Sequence, residues 1–530
     1  MIMFGDTIHR YLYIFFLSGM AFSLPVSKFL ASVFIIALAV NWLLTTDTFY
    51  RLKKISSNKS LLIFLLIFFL YIIYMLNTAN TGEGLRVLVL KLPLLIIPLV
   101  AATTGAISNI EKRIILSSFL AGVFIASVSG TLYFFIMADD MSDRSVISLF
   151  VSPFSLSLMA CFSFFISAYY TLAHDNVDFR FKYIYLLFAI WFAVFLVLLM
   201  SYGGLIIFLA VLIFSFLYIS RYPPYSQFAH VTRVIIPVLF AGLLFFVGYM
   251  VYDFYSINEK LSPDHSAKTE SGRAYTHISG NESLENGYYT WRYICEEELR
   301  REWNRRSSLG YDGKDLKKQD LKNTLIRYMT SMGLKKDSAA LSKLSDKDID
   351  MIETGFPNYR YKDGTGLTDR VYEIIWQADH YFKGGRPQDH SLTRRAEFII
   401  TGLRVFKKYP VFGTGTGDLT DEFRKQYKYA SSDLDNEYRY ISHNQFLSIL
   451  ITFGITGFAV FMFASGYPLF KSGSFSNYLF AVFFIIILMS MLIGDILEIH
   501  TGIIFFSLFY ALFIFGSDKK TDQWLNETGN

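Results

Sequence analysis

The sequence contains little cysteine and little charge for its length. Only two cysteines, Cys161 and Cys295, occur in 530 residues. The first lies in an apolar run and the second in a polar region, which argues against a disulfide framework and against a cysteine-based zinc site. Charged residues make up 18% of the chain, compared with about 25% in an ordinary globular protein. The net charge of +5 is too small and too evenly spread to favour a nucleic-acid partner.

Apolar residues, in contrast, are abundant and occur in long runs. They make up 53% of the chain, with 53 Phe and 35 Tyr, and the mean hydropathy is +0.38. Many runs are long enough to cross a hydrocarbon core about 30 Å thick. The sequence therefore predicts a polytopic membrane protein and excludes a soluble enzyme, a DNA-binding module and a disordered chain.

The apolar runs predict an all-α integral membrane protein with about twelve transmembrane helices. Basic residues in alternate links fall on one side of the membrane if the N-terminus is cytoplasmic, and both termini are then cytoplasmic. The first run has no small-residue cleavage motif, so we interpret it as a span and not as a signal peptide. The predicted windows are 11–26, 28–46, 60–77, 88–105, 114–137, 146–172, 183–200, 203–220, 233–253, 445–465, 476–494 and 501–516.

One segment departs from this pattern, because residues 251–400 hold 48 of the 93 charged residues. Apolar residues at helical spacing within it predict a small helical domain with irregular connections. This domain follows the ninth span, so the assigned topology puts it outside the cytoplasm. The predicted organisation is a membrane region of about nine spans over 1–253, an external domain over 254–444, and a membrane region of about three spans with a cytoplasmic tail over 445–530.

Three alternating glycines mark the most informative part of the chain. Gly413, Gly415 and Gly417 allow backbone conformations that other residues avoid, and they let the chain approach a ligand closely. The pattern fits a phosphate-binding loop, and it also fits an ordinary surface turn. Asp418 comes directly after the glycines, where it could cap a helix or act on a ligand.

Ionisable residues occur where the tenth and eleventh spans meet the outer surface. His443, followed by Asn444, comes directly before the tenth span. Imidazole is the side chain best suited to taking up a proton at neutral pH, although a capping or hydrogen-bonding role is the alternative. Asp495, Glu498 and His500 cluster at the end of the eleventh span. Ionisable groups beside a membrane cavity are functional candidates, and we expect Glu498 to orient either the substrate or His443.

These motifs resemble those of a known family. The run GTGTGD, preceded by Arg395 and followed after a polar gap by HNQFLSILITFGITGF, resembles the O-antigen ligase family of membrane glycosyltransferases. The late stretch GDILEIHTGIIFFSLFYALF resembles the same family, and NGYYTWRYICEEELRREWN resembles its branch with a long periplasmic loop. The resemblance covers most of residues 285–515, whereas the earlier spans agree in number and hydropathy.

The resemblance implies a GT-C-type glycosyltransferase of the bacterial inner membrane. Such an enzyme moves a glycan from undecaprenyl diphosphate to lipid A core oligosaccharide on the periplasmic face, with inversion and without metal or any other cofactor. The expected partners are the lipid-linked donor, the glycan acceptor and the lipid bilayer. The alternatives are an O-antigen or exopolysaccharide polymerase, a protein O-oligosaccharyltransferase and, from a different class, a polysaccharide transporter.

The resemblance also assigns roles to single residues. The family's essential His corresponds to His443, and its loop Arg corresponds to Arg395, with Arg394 as the alternative register. A second family Arg is replaced here by Tyr202, and we expect Lys91, near the outer end of the fourth span, to supply the missing positive charge. The predicted catalytic residues are His443, Arg395 and Glu498, and the predicted substrate-binding residues are Arg394, Lys91, Tyr202, Gly413, Gly415, Gly417, Asp418 and Asn444.

Overall fold

The computed structural model describes residues 2–45, 48–137, 144–172, 179–220, 228–258, 263–278, 283–363, 367–383, 391–430 and 434–516. Most of these residues are helical. The chain divides into two compact units, and two of the four boundaries between them fall inside helices, α11 (Phe228–Tyr255) and α17 (Ser391–Lys408). The first unit comprises residues 1–234, 398–432 and 439–530, and the second comprises 235–397 and 433–438.

The first unit is built from mostly long and apolar helices. Before α11 they are α1 (Ile2–Ser23), α2 (Lys28–Leu43), α3 (Thr48–Ser57), α4 (Lys59–Ile73), α5 (Thr81–Lys91), α6 (Pro93–Thr103), α7 (Asn109–Met137), α8 (Pro153–Leu172), α9 (Phe179–Leu199) and α10 (Tyr202–Ile219). After α17 they are α18 (Leu419–Tyr429), α19 (Gln445–Ser472), α20 (Tyr478–Ile493) and α21 (His500–Ile514).

Each predicted apolar window overlaps at least one of the described helices. Among the described residues, seven helical stretches are long and apolar enough to cross a membrane, and shorter apolar helices accompany them. The prediction of a multi-pass helical membrane protein is therefore confirmed, whereas the number of spans stays a prediction. The seven stretches are Lys59–Asn77, Thr81–Thr103, Asn109–Met137, Pro153–Leu172, Arg180–Leu199, Tyr202–Ile219 and Gln445–Ser472.

Aromatic side chains join the helices of the first unit. Phe509 of α21 meets Phe119 of α7 and Phe162 of α8 edge to face, with ring centroids 4.9 and 5.0 Å apart. All three rings are fully buried. Since lipid is as apolar as these side chains, helices in a bilayer associate through close packing of this kind. The almost completely buried α21 is thus a central helix, and it supports the link that carries Asp495 and Glu498.

The second unit is small and consists mainly of short helices. Trp303 and Leu325 lie fully buried in its apolar core, and the buried Glu285 accepts a hydrogen bond from Arg327 at 2.6 Å. Its elements are the antiparallel strands β1 (Leu284–Glu285) and β2 (Tyr288–Tyr289), and the helices α12 (Glu296–Arg306), α13 (Leu321–Ser331), α14 (Ser338–Ser342), α15 (Asp346–Glu353) and α16 (Leu367–Phe382).

Candidate active site

His443 lies on strained backbone directly before α19. Its φ is +48°, a left-handed conformation that is uncommon for residues with a Cβ and that concentrates at functional sites. The rings of Phe398 and Tyr440 lie beside the imidazole, with centroids 5.4 and 5.8 Å away. The side chain nevertheless remains 41% exposed. The imidazole is therefore positioned by packing and is still accessible to a ligand.

The residues on either side of His443 fix its backbone. Asn444 caps α19, because its Oδ1 accepts a hydrogen bond from the N–H of Leu447 at 3.0 Å. Its Nδ2 donates to the carbonyl of Leu492 at 3.1 Å. Ser442 Oγ accepts from the N–H of Asn444 at 3.3 Å. Both ends of the Asn444 amide thus bond to the protein's own backbone, and the residue orients its neighbour.

Asp495 lies next to His443, in the link between α20 and α21 and outside both helices. Its Oδ2 is 4.0 Å from Nδ1 of His443, and its Oδ1 accepts a hydrogen bond from Ser448 Oγ at 2.7 Å. Oδ2 is buried without a hydrogen-bond partner. Burial, together with the nearby Glu498 carboxylate, raises the pKa of Asp495 to about 7, although hydrogen bonds from Ser448 and the His443 backbone oppose this. Asp495 therefore changes charge near neutral pH, beside the imidazole.

Glu498 is held from two sides. Gln445 Nε2 donates to its Oε1 at 3.0 Å, and Lys91 Nζ donates to its Oε2 at 2.8 Å. The same two side chains bind the backbone of Leu497, whose carbonyl accepts from Lys91 at 2.6 Å and whose N–H donates to Gln445 at 2.7 Å. Lys91 and Gln445 are fully buried, whereas the Glu498 side chain is 21% exposed. Glu498 is thus a carboxylate that Lys91 and Gln445 hold in place and that is still partly exposed.

The structure pairs Lys91 with Glu498. Lys91 Nζ also lies 4.8 Å from the ring centroid of Tyr71. Tyr202 begins α10 and is 56% exposed. The predicted compensation of Tyr202 by Lys91 stays a prediction, and the observed contacts indicate that Lys91 would act through Glu498.

The glycine segment, residues 413–417, is built into a break in α19. Gly454 interrupts this helix with φ 63° and ψ −173°. The carbonyls of Ile451 and Thr452, which precede the break, accept hydrogen bonds from the N–H groups of Thr414 and Gly415 at 2.9 and 3.0 Å. Backbone groups freed from a broken membrane helix need partners within the protein. The glycine segment supplies them.

Close backbone packing explains the three glycines. A Cβ at Gly413, Gly415 or Gly417 would approach backbone atoms to 2.4, 2.7 and 2.3 Å respectively. The N–H of Gly413 donates to the carbonyl of Tyr409 at 3.1 Å, and that of Gly417 donates to Thr78 Oγ1 at 3.3 Å. These N–H groups are therefore engaged within the protein, and phosphate binding by the segment stays a prediction.

Asp418 ties the glycine segment to the start of α5. It occupies the N-cap position of α18 but makes no capping bond there. Its carboxylate instead accepts hydrogen bonds from the N–H groups of Ala79 and Asn80 at 2.7 and 2.8 Å. Asn80 is itself the N-cap of α5. The observed contacts of Asp418 are structural, and its predicted role toward a substrate is not tested by them.

Arg394 and Arg395 lie on α17, in the part of the chain that belongs to the second unit. The guanidinium of Arg394 stacks over Tyr438, 5.1 Å from the ring centroid. Arg395 is exposed. The choice between these two registers for the diphosphate-binding Arg stays a prediction.

Sequence reasoning left Gln445, Gly454 and Asp495 out of the predicted site. Two of them carry a signal in the sequence that could have identified them. Gln445 is a polar residue at the start of an apolar run. Asp495 follows Gly494 directly after a long apolar run.

Within the described residues, no group of His, Cys, Asp and Glu could hold a metal ion. The cluster around His443 combines an imidazole with two carboxyl groups, and this combination can accept and hold a proton.

Comparison with known families adds an independent finding. Residues 354–462 match the model of the O-antigen ligase family, Wzy_C, which includes ligases and polymerases. The matched region contains Arg395, the glycine segment and His443, whereas Lys91 and Asp495 lie outside it. A search of curated proteins gave no match. The chain thus contains a Wzy_C O-antigen ligase domain over residues 354–462, within a multi-pass helical membrane protein.

Proposed function

We propose that the protein transfers a glycan from undecaprenyl diphosphate to a hydroxyl of lipid A core oligosaccharide, with His443 as the general base. The observation that carries this proposal is the position of the exposed His443 imidazole, whose Nδ1 lies 4.0 Å from the buried Asp495 carboxyl. The Wzy_C match supports lipid-linked glycans as the substrate class.

To act as a general base, the His443 imidazole needs one ring nitrogen that is hydrogen-bonded to the protein and one that can reach the acceptor hydroxyl. In the proposed mechanism Asp495 Oδ2, which lacks a hydrogen-bond partner, accepts the Nδ1–H of His443. The imidazole then presents Nε2 to the acceptor hydroxyl and removes its proton as attack occurs. A positioned general base typically contributes about 10²–10⁴-fold to the rate.

The remaining charges have separate roles. Arg395, or Arg394 in the alternative register, binds the diphosphate through paired N–H donors, and each such charge-assisted hydrogen bond contributes about 1.5–3 kcal/mol. Glu498, fixed by Lys91 and Gln445, orients the acceptor sugar through its exposed edge.

Bond making and bond breaking balance in this reaction. The acceptor oxygen bonds to the anomeric carbon as the C–O bond to the diphosphate breaks, and undecaprenyl diphosphate leaves with the electron pair. The proton passes to His443. Direct attack from the opposite face inverts the anomeric configuration. The mechanism assigns no carboxylate as a nucleophile, because Asp495 and Glu498 serve to position His443 and the acceptor.

The proposed location is the periplasmic face of the inner membrane, with both termini in the cytoplasm. The basic links between the apolar helices support this orientation. Fusions of alkaline phosphatase, which is active only outside the cytoplasm, test it. A fusion after Gly310 should be active and one at the C-terminus inactive, and the opposite pattern would reverse the orientation.

A deletion strain tests the acceptor. For a ligase, the lipopolysaccharide ladder should lose its polymer while free lipid-linked chains accumulate. A band with a single repeat would instead identify a polymerase, whose acceptor is another undecaprenyl-linked glycan and which the Wzy_C family also includes. An unchanged ladder in a strain that makes O-antigen would contradict both forms of the proposal.

A further inference from the structure

An exposed apolar tip connects α17 to the glycine segment. We define the apolar tip as residues 409–412, with the sequence Tyr-Pro-Val-Phe. Tyr409, Val411 and Phe412 are 39%, 47% and 64% exposed. Exposed aromatic and aliphatic side chains that are contiguous usually mark a surface that contacts lipid or another protein.

The tip is fastened to the break in α19. The N–H of Ile455 donates to the carbonyl of Pro410 at 2.9 Å. Thr456 bonds to the carbonyl of Val411 through its N–H at 3.3 Å and its Oγ1 at 2.7 Å. Proline has no N–H that would need a partner. These backbone groups of the tip are thus bonded within the protein, while the side chains of Val411 and Phe412 stay exposed.

The attachment point indicates the surroundings of the tip. α19 has 28 residues and is apolar enough to cross a membrane, and Gly454 divides it into two helical parts. Gly454 is ten residues beyond Asn444, which is about 15 Å along the helix from its His443 end. The tip is bonded to Ile455 and Thr456 directly after this break, so it lies within about 15 Å of the His443 end of α19, which is about half the thickness of the hydrocarbon core. This distance places the tip within the leaflet at that end.

Cationic side chains surround the tip on both sequence sides. Lys407 and Lys408 precede it and are exposed. On α18, the side chains of Arg424 and Lys425 are each 69% exposed and form ion pairs with Asp421 and Glu422, so Lys407 and Lys408 are the cations that the proposal uses. Apolar side chains flanked by Lys and Arg are typical of segments that lie in a membrane interface, with the cations among lipid phosphates.

From these observations we propose that the apolar tip is inserted into the lipid leaflet at the His443 end of α19. Val411 and Phe412 contact acyl chains, and the neighbouring lysines lie among the head groups. The inserted tip would hold the broken part of α19 at a fixed depth. This inference concerns the lipid contact of the tip and does not depend on the proposed glycan transfer.

Spin-label accessibility tests the insertion. Both native cysteines are buried, so Cys161→Ala and Cys295→Ala provide a background for Phe412→Cys, with Val411→Cys as a second probe. Each labelled protein is reconstituted in bilayers of phosphatidylcholine and phosphatidylglycerol. Collision with oxygen, which concentrates in lipid, is compared with collision with a water-soluble nickel chelate.

Two matched positions calibrate the result. Leu209→Cys on α10, 56% exposed, reports the lipid environment, and Leu316→Cys in the second unit, 67% exposed, reports water. We expect the oxygen-to-nickel ratio at positions 412 and 411 to match that at 209. A ratio that matches 316 would overturn the proposal. Shielding from both reagents would overturn it as well, because the tip would then be covered by protein.

Discussion

Removal of the Lys91 ammonium group should destabilise the protein by leaving Glu498 without its partner. The two groups are 2.8 Å apart, with Lys91 fully buried and the Glu498 side chain 21% exposed. Removing one partner of a buried ion pair costs about 3–5 kcal/mol. Because Glu498 retains some contact with solvent, we expect a loss of about 3 kcal/mol for Lys91→Met, at the lower end of that range. The carbonyl of Leu497 loses a donor in the same variant.

A double-mutant cycle with Lys91→Met and Glu498→Gln isolates the interaction between the two side chains. Glu498→Gln leaves the Lys91 charge without a counter-charge, whereas the double variant leaves neither charge buried alone. We therefore expect the double variant to be more stable than the sum of the single effects predicts, with a coupling in the upper half of the usual 0.5–3 kcal/mol, about 2 kcal/mol. Thermal unfolding of the four purified proteins in detergent measures this coupling.

The same proteins test the functional consequence. Lys91→Met should reduce glycan transfer more than Tyr202→Phe, which removes one hydroxyl from an exposed side chain. Single effects that add to within about 0.5 kcal/mol would show that Lys91 and Glu498 do not act as a pair. Wild-type transfer by Lys91→Met would show that the ion pair between Lys91 and Glu498 has no part in the reaction.

Three further outcomes follow from the site. Arg395→Ala should abolish transfer, and Arg395→Lys should keep only part of it, because a point charge cannot reproduce paired contacts to phosphate. Loss of transfer in Arg394→Ala alone would identify Arg394 as the diphosphate-binding residue. Asp495 binds its proton more tightly in the folded state, with a pKa of about 7, so its contribution to stability falls as the pH rises from about 4 to 7. In Asp495→Asn, Tm should decrease less between about pH 4 and about pH 7 than it does in the wild type. The same dependence of Tm on pH in both proteins would contradict a raised pKa for Asp495. Gly415→Ala should destabilise by about 1–3 kcal/mol, since φ is +98° and its Cβ would meet a backbone oxygen at 2.7 Å, whereas Gly466→Ala, with 3.7 Å to the nearest atom, should be tolerated.

The helices were largely predictable because hydropathy dictates them. Runs of about 20 apolar residues must form helices in a bilayer, where backbone groups have no water to bond. The break in α19 was not predicted, because the surrounding residues are apolar on both sides of Gly454 and continue the pattern. Only the partners of Ile451 and Thr452, which come from a distant part of the chain, reveal why the helix can open there.

The site was predictable in part. His443 and Glu498 follow from their position at the ends of apolar runs and from the family resemblance. The link between Lys91 and Glu498 joins residues 407 positions apart, so no local pattern could have predicted it. Burial among the helices, together with the nearby Glu498 carboxylate, raises the pKa of Asp495. Pairing and burial of this kind depend on packing between helices, which hydropathy does not determine.

The measurement that tests the central claim most directly is single-turnover glycan transfer by purified His443→Gln with lipid-linked donor bound. Because the proton is removed only as the acceptor attacks, this variant should bind donor normally and transfer it more slowly by about two to four powers of ten. Glutamine can still form a hydrogen bond, so a merely structural His443 would tolerate it. Transfer by His443→Gln at close to the wild-type rate would contradict the account.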